Sequence, residues 1–249
     1  MFSIKNIFIF AAVLLVTAAE VLLLRYYLRA FYPKRTMASL KYKMLAATCY
    51  LVLPLLGALY AGGFNRYSVS VLIAFILSWI GDWFLHFPRG SDKFNYGVGS
   101  LSFFVGHFFF ISAYLSAQAA ILKLYVNFYY WQLIVPVLAA VGFLFLYRLL
   151  GVHIGKKLIV PCFLYALLVS AMAVAAFALA VTILQKSPEL GLAPVLMLAL
   201  GGLCFLQSDV SLGMSFFNPR YKTLRVRVFT TVTYFAAQTL LGYTVFFLG

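Results

Sequence analysis

Acidic side chains are the scarcest chemistry in this sequence. Only five Asp and Glu occur among 249 residues, beside three His, three Cys and three Trp. Charged residues of both signs reach 10%, against 65% apolar or aromatic. A soluble domain carries about 25% charged and about 45–50% apolar residues, so a soluble globule is excluded. Disorder and nucleic-acid binding fall with it, because the 26 Phe and 17 Tyr sit in apolar runs rather than in polar, basic chain. Cys49, Cys162 and Cys204 stand singly in apolar segments. They form no CxxC pair and no disulfide framework, and read as small buried hydrophobes. What remains is an all-α polytopic membrane protein, since lipid requires each backbone polar group to be satisfied within its own segment.

Long apolar runs are what the sequence has in plenty. Eight are close to the roughly 20 residues that cross the hydrocarbon layer, near 6–28, 44–62, 67–87, 98–118, 128–150, 158–184, 191–217 and 226–248. Gly62-Gly63, Pro88-Arg89-Gly90, Gly151, Ser187-Pro188 and Asn218-Pro219 punctuate them. No connection is long enough for an extramembrane domain, so residues 1–249 read as a single polytopic membrane domain. The first run has two readings. Lys5, the apolar stretch and Val16-Thr17-Ala18 fit a cleavable signal peptide. The apolar stretch resumes after Glu20, however, and ends in Arg25 and Arg29, which favours a retained helix.

The net charge of +14 reflects the shortage of acids. Basic residues nonetheless divide unequally across the spans. Lys5, Arg66, Lys123 and Lys186 make four on the side of the N-terminus. Fifteen lie on the other: Arg25, Arg29, Lys34, Arg35, Lys41, Lys43, Arg89, Lys93, Arg148, Lys156, Lys157, Arg220, Lys222, Arg225 and Arg227. The positive-inside rule places the fifteen in the cytoplasm and both termini outside.

A carboxylate inside the hydrocarbon costs a few kcal/mol even on lenient insertion scales. Three acids fall within spans: Glu20, Asp82 and Asp209. Asp82 and Asp209 each sit roughly 8–12 Å from the cytoplasmic end of a helix at about 1.5 Å per residue, and Glu20 falls in the inner half of the first. His86 shares a face with Asp82. His107, Tyr165, Ser208, Tyr234 and Gln238 add polar groups at similar depth. Together they point to a cytoplasm-facing polar cavity lined by the third, fourth, sixth, seventh and eighth helices. Simpler readings stand beside this one: His86 snorkelling to the interface, Glu20 as an interfacial acid paired with Arg25, and Phe103 to Phe110 as packing and lipid-facing surface. A faint internal echo joins Gly81-Asp82-x-x-Leu85…Phe87-Pro88 to Ser208-Asp209-x-x-Leu212…Phe217-Asn218-Pro219, with Lys43 and Lys157 at equivalent helix starts. It fits two parallel four-helix halves.

Ser78-Trp79-Ile80-Gly81-Asp82-Trp83-Phe84-Leu85 followed by Gly106-His107-Phe108-Phe109-Phe110-Ile111 resembles the paired signature of the YhhN-like lysoplasmalogenase family. Pro161-x-x-x-Tyr165-Ala166-Leu167, Gly201-Gly202-x-x-Phe205-x-x-Ser208-Asp209 and Tyr234-Phe235-Ala236-Ala237-Gln238 resemble its later elements, in order over roughly residues 40–245. Phe110 departs from the pattern, where Tyr is common, and Glu20 matches no family element. The resemblance implies an eight-helix membrane enzyme, with no cofactor, that cleaves the vinyl ether bond of lysoplasmalogens. Its products would be a fatty aldehyde and a glycerophospho-ethanolamine or -choline.

That chemistry needs one acid to protonate the vinyl β-carbon and a second group to stabilise the oxocarbenium ion and orient water, as in glycoside hydrolysis. Two carboxyls in one apolar cavity supply both when one stays protonated and the other ionised. Asp82 and Asp209 are the expected pair, with the acid unassigned between them. His107 and Gln238 would position water or a substrate oxygen, with Tyr165, Ser208 and Tyr234 as supporting polar groups. Lys43 and Lys157 would face the phosphate of the lysophospholipid. Two rival readings use the same residues: a mixed zinc site of Asp82, His86, His107 and Asp209, and a proton-coupled transporter or lipid-binding protein. Orientation is checked directly. A phosphatase reporter that works only outside the cytoplasm, fused after Gly249, should be active, and a cytoplasm-dependent fluorescent protein at the same point dark.

Overall fold

A computed structural model describes residues 4–32, 34–87, 92–123 and 129–249. The expected turn Pro88-Arg89-Gly90, with its charge Arg89, and the opening residue of the fifth expected span, Phe128, lie outside the described residues. Those residues form helices and no strand. The long helices are α1 (Ile4–Phe31), α2 (Met37–Ala61), α3 (Arg66–His86), α4 (Asp92–Leu122), α5 (Trp131–Leu149), α6 (Ile159–Lys186), α7 (Leu192–Phe217) and α8 (Leu224–Tyr243), followed by a short α9 (Val245–Leu248). Eight segments are long and apolar enough to cross a membrane, at the eight expected places.

Helix ends follow backbone caps rather than the limits of hydrophobicity. Thr36 opens α2 with a capping box in which Ser39 N–H donates to Thr36 Oγ1 and Thr36 N–H to Ser39 Oγ. The helix therefore begins at Met37, well before the expected 44, and carries Lys41 and Lys43 within it. Helix α4 likewise outruns its apolar window of 98–118 at both ends. Asn65 and Ser68 repeat the capping box at α3. Gly62, at φ +98°, closes α2 in the left-handed region that favours glycine. The eighth expected span is interrupted near Thr244, whose Oγ1 donates to Leu241 O and lies 2.6 Å from Tyr67 Oη.

The chain packs as two compact units, Met1–Ala113 with Leu241–Gly249, and Tyr114–Leu240. The division falls within α4, and the C-terminal segment returns to the first unit. Hydrogen bonds account for that return: Asn65 Nδ2 donates to Leu248 O, Tyr67 bonds Thr244, and Thr17 Oγ1 lies 2.5 Å from Tyr243 Oη. Gly57 and Gly242 let α9 and the end of α8 sit directly on α2 and α3, against Val245, Leu53 and Phe75. The first unit's core is built on Tyr50, Leu53, Phe75 and Phe110, all fully buried. The second unit's core holds Met172, Leu179, Ile183, Leu198, Phe205 and Phe235. Its turns are tied by Asn218 Nδ2 to Gly151 O, Tyr221 Oη to Leu150 O and Tyr147 Oη to Val210 O. The three cysteines are half-buried rather than buried.

Close approach of α3 and α4 sets the position of Asp82. Without a hydrophobic force between helices in lipid, small residues that admit tight van der Waals contact decide such pairings. A Cβ on Gly81 would stand 2.5 Å from the buried ring of Phe103, and one on Gly99 would stand 2.7 Å from Leu85 Cγ and 3.1 Å from its backbone nitrogen. Gly97, by contrast, has open space. Gly81→Ala should therefore lose about 1–3 kcal/mol through overpacking, read by unfolding in detergent. Gly97→Ala should be neutral or gain up to about 1 kcal/mol from its helix backbone.

Candidate active site

In the first unit, α2 and α3 build a charged site in an otherwise apolar setting. Asp82 is 2% exposed. Its Oδ1 lies 2.8 Å from Lys43 Nζ, on a side chain only 13% exposed. Its Oδ2 accepts a hydrogen bond from Tyr50 Oη at 2.9 Å. Each carboxylate oxygen thus has its own donor, both from α2 and about two turns apart along one face. An ion pair with each oxygen hydrogen-bonded is the form in which a carboxylate tolerates burial. Lys43, expected at the substrate phosphate, is engaged with Asp82. Tyr50 was not among the expected residues. Its signal was available in the helical register, two turns beyond Lys43, as Tyr165 stands two turns beyond Lys157.

His86 lies one turn below Asp82 and is buried rather than snorkelling. The Ser39 hydroxyl gives its hydrogen to Thr36 O, so His86 Nε2–H donates to Ser39 Oγ at 2.8 Å. Nδ1 then faces Tyr27 Oη at 3.4 Å, and the ring packs on Tyr27 and Phe31 at centroid distances of 5.2 and 4.7 Å. His86 therefore ties α1 and the cap of α2 to the end of α3. His107, buried on α4, has Nδ1 2.5 Å from Phe103 O; a carbonyl only accepts, so that nitrogen carries the proton. Glu20, on α1, is buried at 2% exposure.

The second unit holds the other carboxyl. Asp209, half-buried on α7, accepts a hydrogen bond at Oδ2 from Tyr165 Oη of α6 at 3.1 Å. Ser208 points to α8, donating to Thr230 O, where Thr230 in turn donates to Ser211. Its hydroxyl therefore joins helices. Tyr234 and Gln238, one turn apart on α8, meet through Gln238 Nε2 and Tyr234 Oη at 3.1 Å. The Gln238 carbonyl oxygen is buried without a hydrogen-bond partner among the described residues. An acceptor left so inside apolar packing costs about 1–3 kcal/mol, a cost that a bound water or hydroxyl removes. Lys157 is exposed in a 3-10 turn, Lys156–Leu158, ahead of α6.

The expected residues thus gather as Asp82 with Lys43, Asp209 with Tyr165, and Gln238 with Tyr234, while His107 bonds the Phe103 carbonyl, Ser208 the Thr230 carbonyl, and Lys157 is exposed. Among the described residues no three His, Cys, Asp or Glu side chains are grouped to hold a metal ion. The sequence profile of the YhhN family matches residues 38–245. The chain belongs to the YhhN family. Neither a curated protein nor a solved structure matches it. The YhhN region contains Lys43, Tyr50, Asp82, Tyr165 and Asp209, whereas α1, with Glu20, Tyr27 and Phe31, precedes it.

Stability variants read the ion pair directly. Lys43→Met should cost about 3–5 kcal/mol, because it strands a buried carboxylate. Tyr50→Phe should cost about 1.5–3 kcal/mol for a hydrogen bond to a charged group. Adding Asp82→Asn to Lys43→Met should restore part of the loss. Unfolding midpoints in detergent measure all three, and a Lys43→Met protein as stable as the parent would refute the buried pair.

Proposed function

We propose that this membrane protein is a hydrolase that opens the vinyl ether bond of lysoplasmalogens, releasing a fatty aldehyde and a glycerophospho-ethanolamine or -choline. Membership of the YhhN family supports the class. The observation that carries the reading is Asp82, a carboxylate kept in a membrane-spanning helix by Lys43 on one oxygen and Tyr50 on the other. Intramembrane ionisable groups of this kind mark function rather than packing.

The reaction divides between two kinds of carboxyl. Asp82, paired with Lys43 at 2.8 Å, suits the stabilising and water-orienting task. Asp209, which accepts a hydrogen bond from the Tyr165 phenol, suits the acid. Asp209 gives its proton to the vinyl β-carbon, and the adjacent carbon becomes an oxocarbenium ion. Water adds there, losing a proton to the site. The hemiacetal then collapses: its hydroxyl gives up its proton to become the aldehyde carbonyl, and its carbon–oxygen bond to glycerol breaks as the glycerol oxygen takes up a proton. Gln238, with an unmet acceptor, suits a water or the substrate's glycerol hydroxyl. His107 adds a second polar contact, and Lys157, exposed at the start of α6, suits the phosphate.

The test is aldehyde release by purified protein in detergent, with an ester lysolipid as comparison substrate and a strong chelator as a further arm. Vinyl-ether turnover in micelles should persist with the chelator, an outcome that neither a transporter, which needs a sealed vesicle, nor a zinc hydrolase would give. Asp82→Asn and Asp209→Asn should each abolish turnover while leaving the protein folded. The double variant should be no slower than either single one, as for groups acting in one step. Full activity in either single variant overturns the reading.

A further inference from the structure

The outward side of α2 and α3 carries a second feature, separate from the carboxylate. Trp79 and Trp83, one turn apart on α3, stack with ring centroids 6.2 Å apart and planes 21° apart. Trp83 continues the stack onto Phe87 at 5.8 Å. Trp79 Nε1 donates to Thr48 Oγ1 at 3.3 Å, which anchors the indole to α2. The result is an aromatic ridge with a shallow trough on each side. One trough, of about 360 Å³, runs between α2 and α3 and is lined by Met37, Lys41, Leu45, Thr48 and both indoles. From Met37 to Thr48 it follows α2 for about 16 Å at 1.5 Å per residue. The other, of about 220 Å³, lies against Ile80 and Phe84.

Charge singles out one end. Lys41 is the one charged side chain in the larger trough, and the smaller has none. Lys41 is exposed, whereas Lys43 forms an ion pair with Asp82. Two residues apart, the two lysines divide: Lys43 turns to the carboxylate, Lys41 to the trough. An ammonium without a carboxylate, set one turn from the basic end of a membrane helix above two apolar channels, complements an anionic head group carrying two chains.

We propose that this ridge is a binding site for a diacyl anionic phospholipid of the cytoplasmic leaflet. Its phosphate meets Lys41, one acyl chain lies in the α2–α3 trough, and the other lies along Ile80 and Phe84, so that the lipid straddles Trp79 and Trp83. The larger trough, at the lower end of the roughly 300–1,000 Å³ typical of ligand sites, takes one chain. Two troughs on one ridge are what distinguish this occupant from a single-chain lysolipid.

The chain has three tryptophans, Trp79, Trp83 and Trp131, so Trp131→Phe leaves the two ridge indoles as the only fluorescent ones. That protein is placed in phosphatidylcholine bilayers with increasing fractions of phosphatidylglycerol or phosphatidylcholine brominated in the chains. Brominated phosphatidylglycerol should quench at about fivefold lower mole fraction, the effect of one lysine near the surface. Lys41→Gln should bring the two curves together, while Lys156→Gln, on the same basic side, should leave them apart. Equal quenching in the parent, or a preference that survives Lys41→Gln, overturns the site. A preference lost equally in Lys156→Gln reduces it to general surface charge. Absence of quenching by either lipid shows the ridge covered by protein, which also overturns it.

Discussion

A carboxylate in a membrane helix must be compensated where it stands, and the ion pair of Lys43 with Asp82 does so within one pair of helices. The pairing constrains more than charge. It sets α2 against α3 in the register that also brings Tyr50 to the second oxygen and Ser39 to His86 one turn below. The early start of α2 follows from the same need. Had the helix begun at its apolar limit, Lys43 would lie in a loop, free to follow the interface. The Thr36–Ser39 capping box draws it into regular helix instead, where its ammonium reaches Asp82. Local backbone chemistry thus decides whether the site is charged and ordered or charged and wet.

Much of the fold was legible because lipid leaves a chain few choices. Run length located the eight spans, and glycine and proline marked the breaks at Gly62, Gly151, Ser187-Pro188 and Asn218-Pro219. Helix ends were less legible, since hydropathy stops at the first lysine whereas a capped backbone does not. Of the site, the scarce acids stood out because each is expensive at depth. Tyr50 did not, because one tyrosine among 17 carries no compositional signal. Only its register with Lys43 distinguishes it. Lys43 was visible, but a cation near a helix start reads equally as a lipid contact or as the partner of a buried acid. Only the α2–α3 packing distinguishes the two.

The sequence echo acquires physical content from the tyrosines. In each unit a phenol hydroxyl donates to an aspartate on the next helix: Tyr50 of α2 to Asp82 of α3, and Tyr165 of α6 to Asp209 of α7. The lysines that open the equivalent helices break the correspondence. Lys43 is largely buried on its aspartate, and Lys157 is exposed in a 3-10 turn. A repeat that keeps the hydroxyl and diverges at the cation has kept one hydrogen bond and changed one charge.

That divergence is what acid-catalysed cleavage of a vinyl ether requires. Two identical carboxylates, each with its own lysine, would both stay ionised and neither would hold a proton to give. Two carboxyls without cations would leave nothing charged to meet the oxocarbenium ion. A phenol can donate to an aspartate oxygen in either protonation state, whereas an ammonium favours the anion alone. Under the proposed reaction, a tyrosine in both units and a buried lysine at Asp82 would give unlike tasks to two residues that are alike in type. Lys157, in the 3-10 turn ahead of α6, is left exposed by the same difference.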